Sequence, residues 1–171
     1  MPRRLLAVLT ATMFGLTLAV NPASPPKADA AVSARSGSHA AHVASRPVHA
    51  RISSEFGWRY HPILHRWRFH EGMDFAARCG APVRAAIGGT VIWEGRAGGY
   101  GNRVVISDGT RRGVALTTTY SHLSRFMVGR GRHVARGQVI ARVGTTGFST
   151  GCHLHFETRQ NGRPVNPRRW L

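Results

Sequence analysis

Three short motifs carry the residues able to do chemistry: His70 and Asp74 in Phe69-His-Glu-Gly-Met-Asp-Phe75, His122 in Tyr120-Ser-His-Leu123, and His153 with His155 in Gly151-Cys-His-Leu-His-Phe156. Two imidazoles and one carboxylate can hold a catalytic Zn²⁺ and leave a coordination position open. Two further histidines then remain to move protons near neutral pH. Metal-assisted hydrolysis is the chemistry this set points to. Each motif is weak alone, because a His near an Asp is usually an ordinary hydrogen-bonded pair and alternate histidines also line solvated strands. Together, each flanked by Gly or apolar residues, they are a poor match to chance. His70-Glu71 begins like a zincin helix, but that motif needs a histidine four residues on. Here the fourth residue is Asp74, and Gly72 weakens a helix. Glu71 therefore reads as a surface carboxylate rather than a general base.

Short β-branched runs separated by glycine must position these residues. Val83–Ile87, Thr90–Trp93, Arg103–Ser107, Val114–Tyr120, Gln138–Val143 and His153–Thr158 read as strands, with turns at Gly88-Gly89, Asp108-Gly109 and Asn161-Gly162. Asn-Gly is a strong hairpin signal, because a type I′ turn needs positive φ at both central residues. The expected fold is mostly β, a small antiparallel sheet of sandwich or barrel-like form. Alternate side chains of a strand share a face, so His153 and His155 should point one way and Cys152, Leu154 and Phe156 the other. The same alternation around Asp74 sends Met73, Phe75, Ala77 and Cys79 inward.

The chain opens with Arg3-Arg4 and an uncharged apolar run from Leu5 to Val20, followed by the small-x-small site Ala28-Asp29-Ala30. That is the pattern of a secretory signal peptide over residues 1–30, shorter than the roughly 20 apolar residues of a membrane-spanning helix. The processed chain is expected to be secreted or held at the cell wall, without a transmembrane anchor. Residues 31–47 are poor in large apolar side chains and read as a flexible linker, leaving one domain over residues 48–171. The whole chain carries 24 Lys and Arg against 7 acids, a formal charge of +17. Such a field attracts polyanions. Nucleic acid is disfavoured, because no helix-turn-helix, basic helix or aromatic platform is visible and the signal peptide removes the chain from the chromosome. Anionic cell-wall polymers or acidic lipids suit an exported protein better, and a monomer is expected.

The motifs resemble the lysostaphin-type and LytM-type zinc metalloendopeptidases, which cleave peptidoglycan peptides. The likeness runs through Ser53-Ser-Glu-Phe-Gly-Trp-Arg-Tyr-His-Pro62, His70-x-Gly-x-Asp74, Gly80-Ala-Pro-Val83, Gly99-Tyr-Gly-Asn102, Gly147 to Glu157 and Pro164-Val-Asn-Pro167, nearly the whole of 52–171. The resemblance implies the duplicated hybrid motif fold with an active-site groove over one sheet. It implies one Zn²⁺ per chain on His70, Asp74 and His155, with His122 and His153 as the catalytic histidines. It implies a secreted endopeptidase acting on the peptidoglycan stem peptide or cross-link. A non-hydrolytic wall-binding or hydrolase-activating module is the alternative, since the family includes members that have lost ligands. Arg59, Tyr60 and His61 lie in a segment that approaches the site in the family, so groove lining and plain packing are equally open for them. His65 and His133, beside arginines, read as solvated.

Two cysteines in an exported chain favour a disulfide. Joining Cys79 to Cys152 would constrain the unfolded chain by roughly 4 kcal/mol on the loop-entropy account. The alternation puts both on inward pleats, which would place the bridge directly behind His153. Thiolate ligation of a metal is the rival role.

Overall fold

The pattern of β-branched runs and tight glycine turns yields twelve strands in the computed structural model, which describes residues 43–171. The expected signal peptide and residues 31–42 of the expected linker lie outside the described residues. In chain order the strands are β1 (Arg51–Ser54), β2 (Gly57–His61), β3 (Arg66–His70), β4 (Met73–Ala76), β5 (Pro82–Arg84) and β6 (Gly89–Arg96). There follow β7 (Asn102–Arg111), β8 (Val114–Phe126), β9 (His133–Val134), β10 (Val139–Val143), β11 (Leu154–Gln160) and β12 (Arg163–Val165).

Ten strands make one antiparallel sheet in the order β1-β4-β11-β8-β7-β6-β9, with β10 joining β8 to β5 and β12 added to β11. The described strands do not close into a barrel. The remaining pair, β2 and β3, forms a separate two-stranded ribbon. One face of the large sheet buries Met73, Phe75, Leu154, Phe156, Tyr120 and Ile106 completely. Each such side chain contributes about 1.5–3 kcal/mol by leaving water. The opposite face of the same central strands carries Asp74, His155, Glu157 and Thr119, which are also buried. The pleat thus separates an apolar core from a polar floor, as the alternation around Asp74 and His155 required.

Residues before Val48 are already part of the packing. Ala44 is buried, its N–H donates to the Trp170 carbonyl at 2.9 Å, and Ser45 N–H donates to Ala86 O at 2.8 Å. The boundary placed at Val48 by composition therefore falls inside packed chain.

Two turn expectations part ways. Asn161 and Gly162 take φ of 48° and 80° and link β11 to β12, as a type I′ turn demands. Asp108-Gly109 is instead a bulge within β7, where the register against β8 shifts between Ser107 and Thr110, and the hairpin turns at Arg112-Gly113. The bulge aims the Asp108 carboxyl into the interior, where it is 1% exposed, accepts from Thr118 Oγ1 at 3.2 Å and leaves its second oxygen without a partner. Burial pushes this carboxyl up to about 8, against the smaller opposing effects of Thr118 and Arg111. A group whose protonated form is favoured by folding binds more protons folded than unfolded between the two values. Stability should therefore fall by up to about 1.4 kcal/mol per pH unit as pH rises from the unfolded value of 3.8 towards 8. Asp108→Asn should flatten that slope; urea unfolding across this pH range checks it, and an unchanged slope would count against a buried neutral Asp108.

The ribbon was not read from the sequence as strands. Its cross-strand neighbours are Trp58 with Phe69 and Tyr60 with Trp67, both edge-to-face, and all four rings are exposed on one side. The ribbon thus exposes a cluster of aromatic rings that the sequence pattern does not announce. The other side of the ribbon, bearing Arg59, His61 and Arg68, faces the groove, whose edge Tyr60 and Phe69 also border.

Candidate metal centre

Asp74 and His155 occupy directly opposed positions on the neighbouring strands β4 and β11, and His70 is the last residue of β3. Gly72 lets the chain between β3 and β4 press against β11: a Cβ there would come within 2.4 Å of the Phe156 carbonyl oxygen. Three atoms converge as a result. His70 Nε2 lies 3.1 Å from Asp74 Oδ1 and 3.0 Å from His155 Nδ1, and His155 Nδ1 lies 2.8 Å from Asp74 Oδ1. All three residues are buried.

The outer contacts of the two imidazoles fix which nitrogen faces inward. His70 Nδ1 is 2.7 Å from the Glu55 carbonyl oxygen, and His155 Nε2 is 3.1 Å from Glu157 Oε1. Each acceptor claims a ring proton, so in the neutral imidazoles both inward nitrogens present lone pairs beside a carboxylate oxygen. Such a set calls for a cation at its centre. The titration behaviour agrees. Burial works against charge on His155, but the carboxylates of Asp74 and Glu157 outweigh it and raise its pKa. Burial likewise works against the Asp74 carboxylate, yet the His155 and His70 rings, once protonated on their inward nitrogens, hold it far below the usual range. His70, Asp74 and His155 are a donor group that could hold a metal ion.

His122 and His153 stand next to this set, their ring centroids 4.5 Å apart, with His122 6.0 Å from His155. In a regular pleat His122 would share the core face of Tyr120. Its left-handed backbone, φ 62°, breaks the alternation, so that Leu123 takes the next core position and the imidazole turns to the groove. Its Nδ1 donates to the Thr146 carbonyl at 2.7 Å. Burial, opposed by that carbonyl and reinforced by His153 and His155, lowers its pKa to about 4, so the ring is neutral at neutral pH. His153 precedes β11 and places Nδ1 2.8 Å from Gly151 O and 3.2 Å from Ser149 Oγ. Among the described residues no protein group bonds to Nε2 of either ring.

A groove of about 830 Å³ contains all five residues. Arg59, Tyr60 and His61 line it as well. Arg59 reaches Asp74 Oδ2 at 3.4 Å. The Tyr60 hydroxyl donates to His65 O within the ribbon, and His61 Nδ1 accepts from the N–H groups of Ile63 and Leu64, so both also hold the ribbon's turn.

Cys79 and Cys152 are bonded to each other, which removes thiolate ligation. Their expected inward placement is wrong: both are exposed, and Cys152 lines the groove. β4 ends at Ala76 and β11 starts at Leu154, so neither pleat extends to the cysteine. The bridge lies on the rim beside His153, not behind it.

A charged layer that the three motifs do not announce lies under the His–Asp–His set. Glu157 is fully buried, and it accepts from His155 and pairs with Arg103 and Arg159, each at 2.7 Å. Burial would raise its pKa, but the His155 hydrogen bond and the two arginines bring it down to about 2. Arg159 also holds Glu71 at 2.5 Å, and the Tyr100 hydroxyl donates to Glu71 at 3.3 Å. The signal was present: His155, Glu157 and Arg159 share one pleat face by their spacing of two.

An antiparallel sheet bearing a His–Asp–His donor set and two adjacent histidines in an open groove has the layout of a metal-dependent hydrolase. Residues 68–167, more than half the chain, match peptidase family M23, and the chain belongs to that family. It is 54% identical over 120 residues to the DD-carboxypeptidase/endopeptidase Mpg of Neisseria meningitidis serogroup B, a match covering 70% of this chain and 27% of that protein. The chain thus spans about a quarter of the length of such curated relatives. A zinc-containing peptidase from Vibrio cholerae superposes with a TM-score of 0.61 at 42% identity, over 68% of this chain and 35% of that one. The catalytic domain of the antimicrobial peptidase lysostaphin from Staphylococcus simulans gives 0.62 at 30% identity, over 70% and 90%.

Proposed function

We propose that this domain is a secreted zinc-dependent endopeptidase that hydrolyses peptide bonds in bacterial peptidoglycan. The convergence of His70 Nε2, Asp74 Oδ1 and His155 Nδ1, with the outer ring nitrogens tied to Glu55 O and Glu157, carries the reading. Bound by these three atoms, Zn²⁺ would acidify a water and polarise the scissile carbonyl. The remaining work belongs to the chain. His122, neutral and with its Nδ1 proton given to Thr146, offers the Nε2 lone pair to the proton released by the attacking water. His153, oriented by Gly151 and Ser149, presents its own Nε2 to the same space. Between them the two rings take that proton and deliver it to the amine as the C–N bond breaks. The relative named a DD-carboxypeptidase/endopeptidase supports a bond between D-configured residues as the target. The exposed disulfide suits an oxidising compartment outside the cytoplasm, and the basic charge suits an anionic wall. With all five positions filled, the site does not favour a non-hydrolytic binding module.

The test is digestion of purified peptidoglycan by the exported chain, with mass spectrometry of the fragments, before and after metal removal and zinc restoration. New amino termini that vanish with the metal and return with zinc are expected. Intact wall despite one zinc per chain would refute the peptidase.

A further inference from the structure

We propose that Arg59 and Arg68, opposed across the β2–β3 ribbon, form a site for a carboxylate of the substrate peptide, so that the groove selects peptides with a free carboxylate beside the scissile bond over their amidated forms. This rests on the peptidase reading and adds a recognition element to it.

Arg59 and Arg68 are register partners on the groove side of the ribbon. Like charges directly opposite on paired strands destabilise the pair unless an anion lies between them. Among the described residues no protein carboxylate bridges the two. The Arg68 side chain has no hydrogen bond, ion pair or ring contact among the described residues. Arg59 makes only a long 3.4 Å contact to Asp74, and its Nε is buried without an acceptor.

The acids that could have served are engaged elsewhere: Glu71 by Arg159 and Tyr100, Glu157 by Arg103 and Arg159, and Glu55 by Arg168. Two guanidinium groups therefore face the groove with unspent donors, one of them touching a metal-donor carboxylate. The same basic field reaches His61, whose pKa is lowered first by burial and then by Arg59 and Arg68. A planar fork of N–H donors matches a carboxylate in two parallel bonds, whereas a carboxamide offers one neutral acceptor and no charge. A carboxylate held here lies beside the metal donors, within reach of a residue adjoining the bond to be cut.

The test uses the full chain carrying His153→Ala, loaded with zinc so that peptide binds without turnover. Two synthetic D,D-linked peptides, identical but for a carboxylate or a carboxamide on the residue next to the scissile bond, are titrated by calorimetry. The free acid should bind about 10- to 100-fold more tightly, with a preference that shrinks as salt is raised. Adding Arg68→Gln should erase the preference, while Arg66→Gln, on the ribbon but outside the groove, should keep it. Equal affinity for the two peptides, or an Arg68→Gln loss that is the same for both, overturns the site. Hydrolysis by the unmutated chain is scored separately. Binding preference without hydrolysis would strike the peptidase and leave the carboxylate site, and hydrolysis of both peptides with equal affinities would do the reverse.

Discussion

Replacing His155 by alanine is expected to abolish bound zinc and peptidoglycan hydrolysis together, whereas His153→Ala should abolish hydrolysis and leave the metal in place. The difference follows from where the two rings sit. His155 Nδ1 is one of three mutually contacting donor atoms, at 2.8 Å from Asp74 and 3.0 Å from His70. His153 is held by Gly151 and Ser149 and makes no hydrogen bond to Asp74, His70 or His155 among the described residues. Loss of a proton-transferring group costs about 10²- to 10⁴-fold in rate. Zinc per chain by elemental analysis and the rate of fragment release decide it together. If His153→Ala lost its zinc, or lysed wall at the parent rate, the division of labour among the histidines would be wrong.

The second large effect is expected at Glu157, which contacts no substrate. Glu157→Ala would leave Arg103 and Arg159 without their buried counter-charge and His155 without its outer acceptor. Breaking a buried charge pair from one side costs about 3–5 kcal/mol, and loss of a metal ligand's hydrogen-bond partner lowers metal affinity about 10- to 100-fold. Urea unfolding of the zinc-free chain reads the first term and chelator competition the second. A variant within about 1 kcal/mol of the parent would mean the layer is solvated rather than buried. Acid should expose the same dependence. The Glu157 carboxylate is depressed from 4.5 to about 2 on folding, so its stabilisation is complete above pH 4.5 and is lost as pH falls towards 2.

The converging histidines and Asp74 were legible because metal ligation and proton transfer admit few side-chain types, and period two fixes which of them share a face. His153 with His155, and Asp74 between Met73 and Phe75, obey that rule in the folded chain. His122 does not: only its left-handed backbone brings it to the groove, and nothing in Tyr120-Ser-His-Leu123 announces a bulge. The Asp108-Gly109 pair misled for the related reason that a bulge and a turn use the same residues. The cysteines misled because a strand's alternation was extended past the strand's end. The ribbon escaped notice because its apolar face is turned to solvent, so the alternation of Trp58 and Tyr60 had no core to serve.

That ribbon has a further consequence. It pairs with no strand of the large sheet, and a lone two-stranded hairpin is marginal in water, so its order depends on its own edge-to-face rings, on Phe69 set edge-on against Phe56, and on the turn pinned by His61 and Tyr60. Apart from His70 at the end of β3 and the Arg59 contact to Asp74, the segment facing the groove is therefore energetically separable from the ten strands that carry Asp74 and His155. Its exposed positions can be rewritten, in nature or at the bench, with His70 kept and no register of the sheet beneath it touched, which makes them a cassette for changing what the groove accepts.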